Sequence, residues 1–479
     1  MSFMMAFGLA GTMICLGMLL RAKISVLRNM LVPASVVAGI LGFVLMNVLA
    51  AVPVEVAQAG GGETTTTNLL QHIFGVNANV FTEIVNHLFT ISFISISLTS
   101  APKGEDNGAK NMMKGALGLG IVWCLLYALT PLAATAVMML IGKPFEMDSI
   151  YGMMIQFGFC QGPGQAASFG AIFEADGHAN AAMVGMAFAS VGFIAAFIVG
   201  IPAAKLGMKK RVAKHCGELD EVTLRGYLRK EEQTEHMVKD TTVNSNLETL
   251  GFHFAVIGVC YVLAYFIGQV LNLIPSLGSS LSSMMFMNGM YAAYIVKFIM
   301  KKLKIDYLLE NTLQSKITGW TSDFLVVCAF MAVSVQIISQ WIVPILVVCL
   351  VTIVVTFIVC FYFGSRFGGS NDFERTLGLY GTCCGTVPSG ISLVRIVDPN
   401  FHTSTAVELG ACNLVMFLCT PVYFIILLLS NGTLGMPIAL GGLAVCVIIC
   451  LILLKVTRLW NKPTYKLFGN TTADKDMQA

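Results

Sequence analysis

Two short stretches of this chain carry the residues whose types and spacing could bind a solute. The first, QFGFCQGPGQAASFG at 156–170, places a Gly-Pro-Gly run inside an otherwise apolar, helix-like segment. The second, GTCCGTVPSGISLVR at 381–395, is interrupted in the same way around Pro388. Proline removes a backbone donor and glycine weakens a helix. Each stretch therefore predicts a broken helix whose free N–H and C=O groups are available for binding.

The chemistry expected at such a break is the binding of a small anion beside a cation. The helix that follows each break begins with unpaired N–H groups and the positive end of its dipole, which suit a carboxylate. Carbonyl groups at the end of the preceding arm suit a small hard cation. The substrate-binding candidates are the residues of both breaks and the polar residues that follow them: Gln161, Gly162, Pro163, Gly164, Gln165, Ser168, Gly385, Thr386, Val387, Pro388, Ser389, Gly390, Ser392 and Arg395.

Arg395 is the one cation in this candidate set. Its guanidinium offers a rigid two-pronged fork for a carboxylate, so we expect that its loss would abolish uptake of an anionic substrate. The alternative is an arginine at the membrane interface that pairs with Asp398 near the end of the arm. The sequence leaves both interpretations open.

Candidate cation ligands are polar side chains inside other apolar segments. Hydroxyl groups at Ser95 and Thr99 share one face of a helix, and Ser334 lies in a comparable helix of the second half. Asn413 and Glu408 follow the second break. We predict that sodium ligands come from these five residues. Contacts between helices for the hydroxyls, and contact with water for Glu408, are the alternatives.

The elements that position these residues are membrane-spanning helices. Hydrophobic residues make up 56% of the chain, charged residues 11%, and the mean hydropathy is +0.79. The opening segment lacks the basic start of a signal peptide and is predicted to be a first spanning helix. Apolar runs of spanning length predict about 11 helices, at 3–20, 31–51, 80–100, 115–142, 178–203, 250–273, 281–300, 318–339, 341–364, 403–430 and 436–456.

The interrupted segments 148–175 and 372–398 are not among these eleven spans, and the charges of the loops indicate their path through the membrane. Basic clusters at 21–30, 101–114 and 205–214 fall on one side of the membrane only if each interrupted segment returns to the side from which it entered. Both are therefore predicted to be re-entrant hairpins. The N-terminus is then outside and the C-terminus cytoplasmic, in a multi-pass protein of the cell (inner) membrane.

An internal repeat relates the two interrupted segments. A shift of 224 positions aligns Ser168 with Ser392, and it also aligns Glu174 with Asp398. Each half has five helices, with a hairpin between the fourth and the fifth. Because five is odd, the halves must be inverted relative to each other, and the hairpin tips are expected to meet near the midplane. This arrangement is typical of secondary transporters.

The predicted fold class is an all-α polytopic membrane protein with two inverted five-helix repeats, each with a re-entrant hairpin, and one extra C-terminal helix. The first repeat covers 1–203 and the second 250–430. A cytoplasmic linker, 204–249, joins them, and 431–479 holds the extra helix and a cytoplasmic tail. The uncharged helices at 115–142 and 341–364 are predicted to form a fixed scaffold.

The chain resembles the sodium:glutamate symporter family. The similar stretches are LVPASVVAGILGFVL (31–45), FISISLTSAPKG (93–104), the first hairpin with its following helix (156–203), and CCGTVPSG with its following helix (383–430). The resemblance implies sodium-coupled symport of glutamate or a similar carboxylate anion by a homodimer, through elevator-like movement of a hairpin-bearing core. Sodium is then co-transported, and no organic cofactor is implied.

The first tip departs from the glycine-rich pattern of that family, because Gln161 and Ala166 stand where the family has glycines. Another organic anion as substrate, or coupling to protons, therefore stays open. A membrane-embedded enzyme would need a motif such as HExxH or GxSxG, and neither occurs in the sequence. A passive channel would favour a continuous pore with a repeated filter. The net charge of +3 is too small to indicate a nucleic-acid partner.

Overall fold

The computed structural model is mostly helical. Most of the predicted linker at 204–249 and of the tail after 467 lies outside the described residues, so those two predictions stay untested. The model describes residues 2–29, 32–57, 64–99, 106–213, 229–230, 241, 248–274, 278–399 and 402–467.

The first half contains nine helices among its described residues. Their order and bounds are α1 (Ser2–Lys23), α2 (Ser25–Asn29), α3 (Ala34–Ala50), α4 (Leu69–Phe74), α5 (Ala78–Leu98), α6 (Asp106–Ile141), α7 (Ile155–Gly158), α8 (Pro163–Ala175) and α9 (Ala181–Lys209). Short 3₁₀ segments, Lys143–Phe145 and Ser149–Met154, connect α6 to α7.

The second half continues in the same manner from the described residue 248 onward. Its helices are α10 (Thr249–Leu271), α11 (Gly278–Ser283), α12 (Met285–Lys302), α13 (Asn311–Met331), α14 (Val335–Ile338), α15 (Ile342–Gly364), α16 (Asp372–Cys383), α17 (Val387–Val397), α18 (Thr405–Ala411), α19 (Thr420–Ser430) and α20 (Met436–Val456). The 3₁₀ segments are Asp306–Leu308, Ser339–Trp341 and Cys412–Cys419.

Seven helices within the described residues are long and apolar enough to cross a membrane. They are α1, α5, α6, α9, α10, α15 together with the turns before it, and α20. The chain from Thr405 to Ser430 passes the same test only as a pair bent by 46°. At 17 residues, α3 is shorter than the other spans. The prediction of a multi-pass membrane protein is confirmed, whereas the count of eleven stays a prediction.

A two-stranded ribbon interrupts the mostly helical fold, in the loop after α3. Strand β1 (Pro53–Ala57) pairs with β2 (Thr64–Asn68) in an antiparallel ribbon, with Pro53 opposite Asn68. Four consecutive threonines, whose β-branched side chains favour extended backbone, form most of β2. The Asn68 side chain then caps α4 by accepting a hydrogen bond from the Gln71 N–H at 2.8 Å.

The helix predicted at 318–339 ends early, at Met331, because a side chain from α3 takes over its backbone groups. The Asn47 Nδ2 atom donates to the Val333 carbonyl at 2.9 Å, and its Oδ1 atom accepts from the Val335 N–H at 2.7 Å. These groups would otherwise belong to the hydrogen-bond ladder of the helix. Ser334, one of the predicted sodium ligands, therefore lies in a bend between α13 and α14.

The helix predicted at 403–430 is also interrupted. It consists of α18, the 3₁₀ segment Cys412–Cys419 and α19. Pro421 lies in the first turn of α19, where a missing N–H is tolerated, and its ring disfavours continuation of the preceding α-helical turn. Asn413, another predicted sodium ligand, is thus on the 3₁₀ segment.

The helices pack in two groups. In the first group, α5 packs against α12 and α13, α3 packs against α1 and α13, and α10 packs against α12. In the second group, α9 packs against α7, α8, α16 and α17, and α6 packs against α15, α18 and α20. Both α6 and α15 therefore pack with the broken helices and not in the first group, and their assignment as a fixed scaffold stays a prediction. Contacts of α5 with α8 join the groups.

The C-terminal strap, residues 459–467, ties the end of α20 to the beginning of α16. The Thr464 hydroxyl donates to Asp372 Oδ2 at 2.8 Å, and the Tyr465 hydroxyl donates to Thr376 Oγ1 at 2.7 Å. Burial raises the pKa of the Tyr465 phenol, so the group stays neutral and keeps its proton for this bond. The strap thereby fixes the base of α16 to the last helix.

Replacement of Asn47 by leucine is predicted to lower the stability of the folded protein by about 1–3 kcal/mol, because the Val335 N–H and the Val333 carbonyl lose their partner. Thermal unfolding of the detergent-solubilised protein measures the effect. Replacement of the exposed Asn79 by leucine is the control and should change stability by less than about 0.5 kcal/mol. Equal melting temperatures for the two variants would contradict this account of the bend.

Candidate binding site between two broken helices

The first broken segment (149–175) turns back on itself at the first tip, residues 159–164. The tip depends on Gly162, whose φ of +86° and ψ of −177° are open in practice only to glycine. Its N–H donates to the Gly158 carbonyl at 2.9 Å, which closes the last turn of α7. The two arms then pack together, with the rings of Phe157 and Phe169 stacked at a centroid distance of 3.7 Å.

The second broken segment (372–397) turns at the second tip, residues 384–388. Helix α16 closes with the Cys384 N–H donating to the Tyr380 carbonyl at 3.0 Å. Thr386 is the extended residue before α17, and its side chain makes no capping hydrogen bond. Pro388 lies in the first turn of α17, where its missing N–H is tolerated. Helices α16 and α17 pack against each other along their lengths.

The two tips are in contact. A Cβ atom built on Gly162 would lie 2.7 Å from Thr386 Cγ2 and 3.2 Å from the Gly385 carbonyl oxygen. Helix α9 supports both tips at Gly192, where a Cβ atom would lie 2.5 Å from the Cys384 carbonyl oxygen and 3.2 Å from that of Phe159. The backbones of the two tips and of α9 are therefore in direct contact. A side chain at Gly162 or Gly192 would prevent this close approach.

The helices that begin at the tips bring N–H groups to the same region. In α8, the N–H of Ala166 makes the first hydrogen bond of the helix back to the tip, and it donates to the Gly162 carbonyl at 3.3 Å. In α17, the N–H groups of Ser389 and Gly390 donate to the Thr386 carbonyl at 2.9 and 3.2 Å. The earlier N–H groups of each first turn have no acceptor within the helix. Two positive helix ends thus meet at the tips, an arrangement that attracts an anion.

Positions that the internal repeat pairs make matching contacts. The Ser168 hydroxyl donates to the Gly164 carbonyl at 3.0 Å, and the Ser392 hydroxyl donates to the Pro388 carbonyl at 2.9 Å, each four residues back. Ser168 and Ser392, both predicted to bind substrate, therefore bond to their own helices. Ser168 also donates to Asn86 Oδ1 at 3.0 Å, which links α8 to α5.

The acidic residues at the far ends of the two segments match in the same way. Glu174 Oε1 accepts the N–H of Ala182 at 3.0 Å, at the start of α9. Asp398 accepts the N–H groups of His402 and Thr403, each at 2.8 Å, before α18. Each acid thus ties the end of its broken segment to the next helix, by a contact that the sequence pairing of Glu174 with Asp398 did not specify.

A glutamine–tyrosine network surrounds the first tip. Gln165 Oε1 accepts from the Tyr127 hydroxyl at 2.5 Å, and Gln165 Nε2 donates to the Tyr423 hydroxyl at 3.1 Å and to Gln161 Oε1 at 3.4 Å. Both tyrosines are buried, and the Tyr423 ring stacks on Phe169. Sequence analysis missed the tyrosines. The sequence feature that could have indicated them is a phenol within an apolar helix, because a buried phenol needs a polar partner.

Arg395 lies away from the tips. It is exposed on the last turn of α17, about 13 Å along the helix axis from Thr386 at the usual rise per residue. The neighbouring Asp398 carboxylate accepts backbone N–H groups. This position favours the interfacial role for Arg395 over direct contact with a substrate at the tips.

Two of the predicted sodium ligands lie between α5 and its neighbours in the first group. The Ser95 hydroxyl donates to Gln314 Oε1 at 2.5 Å and lies 2.8 Å from the Gln314 carbonyl oxygen. The Thr99 hydroxyl donates to the Ile96 carbonyl at 2.7 Å, and the Thr99 carbonyl accepts from Lys297 Nζ at 2.5 Å. These contacts join α5 to α13 and α12. The polar groups of Ser95 and Thr99 therefore already have protein partners.

The other three candidates are in separate places. Ser334 lines a cavity of about 190 Å³ together with Asn47 and Gln336. Asn413 Nδ2 donates to the Gly410 carbonyl at 3.1 Å, and Glu408 is bound to an arginine. The structure therefore does not bring the five predicted sodium ligands together. Among the described residues, no group of three or more His, Cys, Asp or Glu side chains could hold a metal ion.

Glu408 forms a buried ion pair that sequence analysis did not identify. Arg375 Nε and Nη2 donate to Glu408 Oε2 and Oε1, both at 2.6 Å, and the Ser404 hydroxyl donates to Oε1 at 2.7 Å. Arg375 also contacts Asp372 at 3.2 Å. A Cβ atom on Gly115 of α6 would lie 2.5 Å from the carboxylate carbon of Glu408. The pair joins α16 to α18 against α6.

Removal of one partner of this pair is predicted to destabilise the protein by about 3–5 kcal/mol, because the other charge stays buried and unpaired. We expect Arg375→Met and Glu408→Leu each to lower the melting temperature strongly in detergent, and the double variant to recover most of the loss. Asp372 keeps the Gly368 and Gly369 N–H groups as partners in every variant. Additive losses in the double variant would show that the two charges are not coupled.

The model of the sodium/glutamate symporter family, a family of transporters, matches residues 50–402 of the chain. That range includes both broken segments and both tips. No protein of curated function matches the chain at a significant level.

Proposed function

Since the chain belongs to the sodium/glutamate symporter family, we propose that it carries glutamate or a similar carboxylate anion across the cell membrane together with sodium, and that the anion binds between the two tips. The observation that carries the proposal is the contact of the first tip with the second, where Gly162 lies against Gly385 and Thr386. Two helix N-termini begin at this contact, and their free N–H groups suit a carboxylate.

Sodium binds beside the anion, at carbonyl groups that end the first arms. The carbonyl oxygens of Phe159 and Cys384 both lie close to Gly192, and carbonyl oxygens are the ligands that small hard cations prefer. The hydroxyls of Ser95 and Thr99, and the side chains of Ser334, Asn413 and Glu408, remain sodium candidates by sequence. The protein contacts of Ser95, Thr99, Asn413 and Glu408 weaken the case for these four.

The topology that we propose consists of two inverted repeats, 1–203 and 250–430, each with a re-entrant segment. The matched contacts at Ser168 and Ser392 support the equivalence of the two segments. The charge distribution of the loops supports an outer N-terminus and a cytoplasmic C-terminus in the inner membrane. The linker at 204–249 and the strap are then cytoplasmic.

Transport follows an alternating-access equilibrium between outward and inward forms, which the sodium gradient biases. The two packing groups suggest the moving parts. The group of α6–α9 and α15–α20 carries both tips and moves, whereas the group of α1, α3, α5, α10, α12 and α13 stays fixed and forms a homodimer. The groups meet where α13 contacts α8 and α9 and where α5 contacts α8. At the second of these contacts the Phe89 ring lies directly against Gly164.

Uptake by the purified protein in liposomes tests the proposal. An inward sodium gradient is expected to drive accumulation of labelled glutamate, and a potassium gradient of the same size is the control. Competition with aspartate and dicarboxylates compares other anions with glutamate, and competition with glutamine tests a neutral analogue. Accumulation that ignores sodium but follows a pH gradient would establish proton coupling instead, and accumulation of no organic anion under either gradient would overturn the proposed function.

The Gly162→Ala variant is predicted to lose about tenfold or more in sodium-driven uptake, because a methyl group enters the contact between the tips and displaces groups that must approach closely. The matched control is Gly177→Ala at the other end of α8. Gly177 also has a positive φ, +100°, but nothing lies within 4 Å of its Cβ position. Backbone strain is therefore common to both variants, and only Gly162→Ala disturbs the tips.

Both variants must first elute from size exclusion as the wild type does. Equal uptake by the two variants would show that the contact between the tips has no part in transport.

A further inference from the structure

The first tip presents an unused hydrogen-bond donor. Gln161 precedes Gly162 directly, and its Nε2 atom is buried without a hydrogen-bond partner among the described residues. Buried amide groups in proteins are almost always paired, because an unpaired one has lost its water without compensation. A buried, unpaired donor next to the contact between the tips therefore indicates a group that is completed by a ligand.

The direction of this donor is set by neighbouring side chains. Gln161 Oε1 accepts from Gln165 Nε2 at 3.4 Å, so the amide presents its nitrogen on the other side. Gln165 is itself held by the Tyr127 hydroxyl on its oxygen and by the Tyr423 hydroxyl on its nitrogen. A relay from two buried tyrosines through Gln165 thus orients the Gln161 carboxamide.

The tyrosines are in turn fixed by packing. Their rings are 5.3 Å apart in an edge-to-face arrangement, and Tyr423 stacks on Phe169 with 5.3 Å between centroids. Tyr127 also meets the edge of Phe157, at 6.3 Å. Side chains that are locked in this way lose little further entropy when a ligand binds, which is the condition for a selective contact.

We propose that Gln161 is a specificity-determining residue, whose Nε2 donates to a carboxylate oxygen of the transported anion, and that Tyr127, Gln165 and Tyr423 are positioning residues for this amide. The inference rests on the proposed function. The site then prefers a substrate that places a carboxylate at this point, such as glutamate, over one that places a neutral amide there, such as glutamine. Both can accept a hydrogen bond from Nε2, but the bond to a charged acceptor is the stronger one.

The test uses full-length variants in liposomes, with the sodium-driven uptake of glutamate and its inhibition by glutamine as readouts. Gln161→Leu is expected to raise the KM for glutamate about tenfold or more, the usual effect of losing a hydrogen bond to a charged group. Gln161→Glu is expected to impair glutamate uptake further by repulsion and to improve inhibition by glutamine, because it replaces a donor with an acceptor.

The positioning role has a separate signature. Tyr423→Phe and Tyr127→Phe should each raise the KM for glutamate severalfold in the wild-type background and have little further effect in the Gln161→Leu background. A merely structural role of the hydroxyls would lower the amount of folded protein and would add to the effect of Gln161→Leu. Additive changes in KM would therefore overturn the relay.

Gln156 provides the matched control, since both of its amide atoms are also buried without partners among the described residues, but it lies on α7, three residues before the first tip begins. Gln156→Leu should leave the ratio of glutamate to glutamine affinity unchanged. An altered ratio in this variant, with an unaltered one in Gln161→Leu, would overturn the assignment.

If the wild type transports glutamate with sodium and Gln161→Leu keeps its KM and selectivity, the inference fails while the proposed function stands. If the wild-type protein transports no organic anion, the proposed function itself is overturned.

Discussion

Backbone groups that lose their helical partners inside an apolar protein must find others, because lipid supplies none. Two helices of this chain break where nearly all of the neighbouring residues are buried, and the remainder of the structure is arranged around that constraint. The breaks are placed against each other, so that Gly162 meets Gly385 and Thr386, and Gly192 of α9 lies beside the carbonyl groups of both tips. A binding region of main-chain donors and acceptors is the product of this arrangement.

The two broken segments are held by different chemistry. The first is fixed by a neutral network, in which buried tyrosine hydroxyls bind Gln165 beside its tip. The second is fixed at its base by charge, through Arg375 with Glu408, and by the C-terminal strap, through Thr464 with Asp372. A neutral network close to the tip leaves the field of the helix ends available for an anion. A charge-paired base places the ionic groups at the other end of α16, where their fields act less on the site.

The sequence predicted the features that depend on local rules. The Gly-Pro breaks, the apolar spans and the 224-position pairing of Ser168 with Ser392 are all local or periodic signals, and the structure has broken helices and matching contacts at those places. The errors have long-range causes. The end of α13 depends on Asn47, a residue more than 280 positions earlier, and no property of residues 318–339 reveals it. Glu408 was assigned to sodium because its partner, Arg375, could be found only in three dimensions.

The most direct measurement of the central claim is a cryo-electron microscopy map of the protein in lipid nanodiscs with sodium and glutamate, compared with a map in potassium without substrate. The account predicts density for one amino acid at the contact between the two tips, next to the first turns of α8 and α17, that disappears in the second map. Tips separated by lipid, or substrate density bound elsewhere while the tips stay closed on each other, would contradict it.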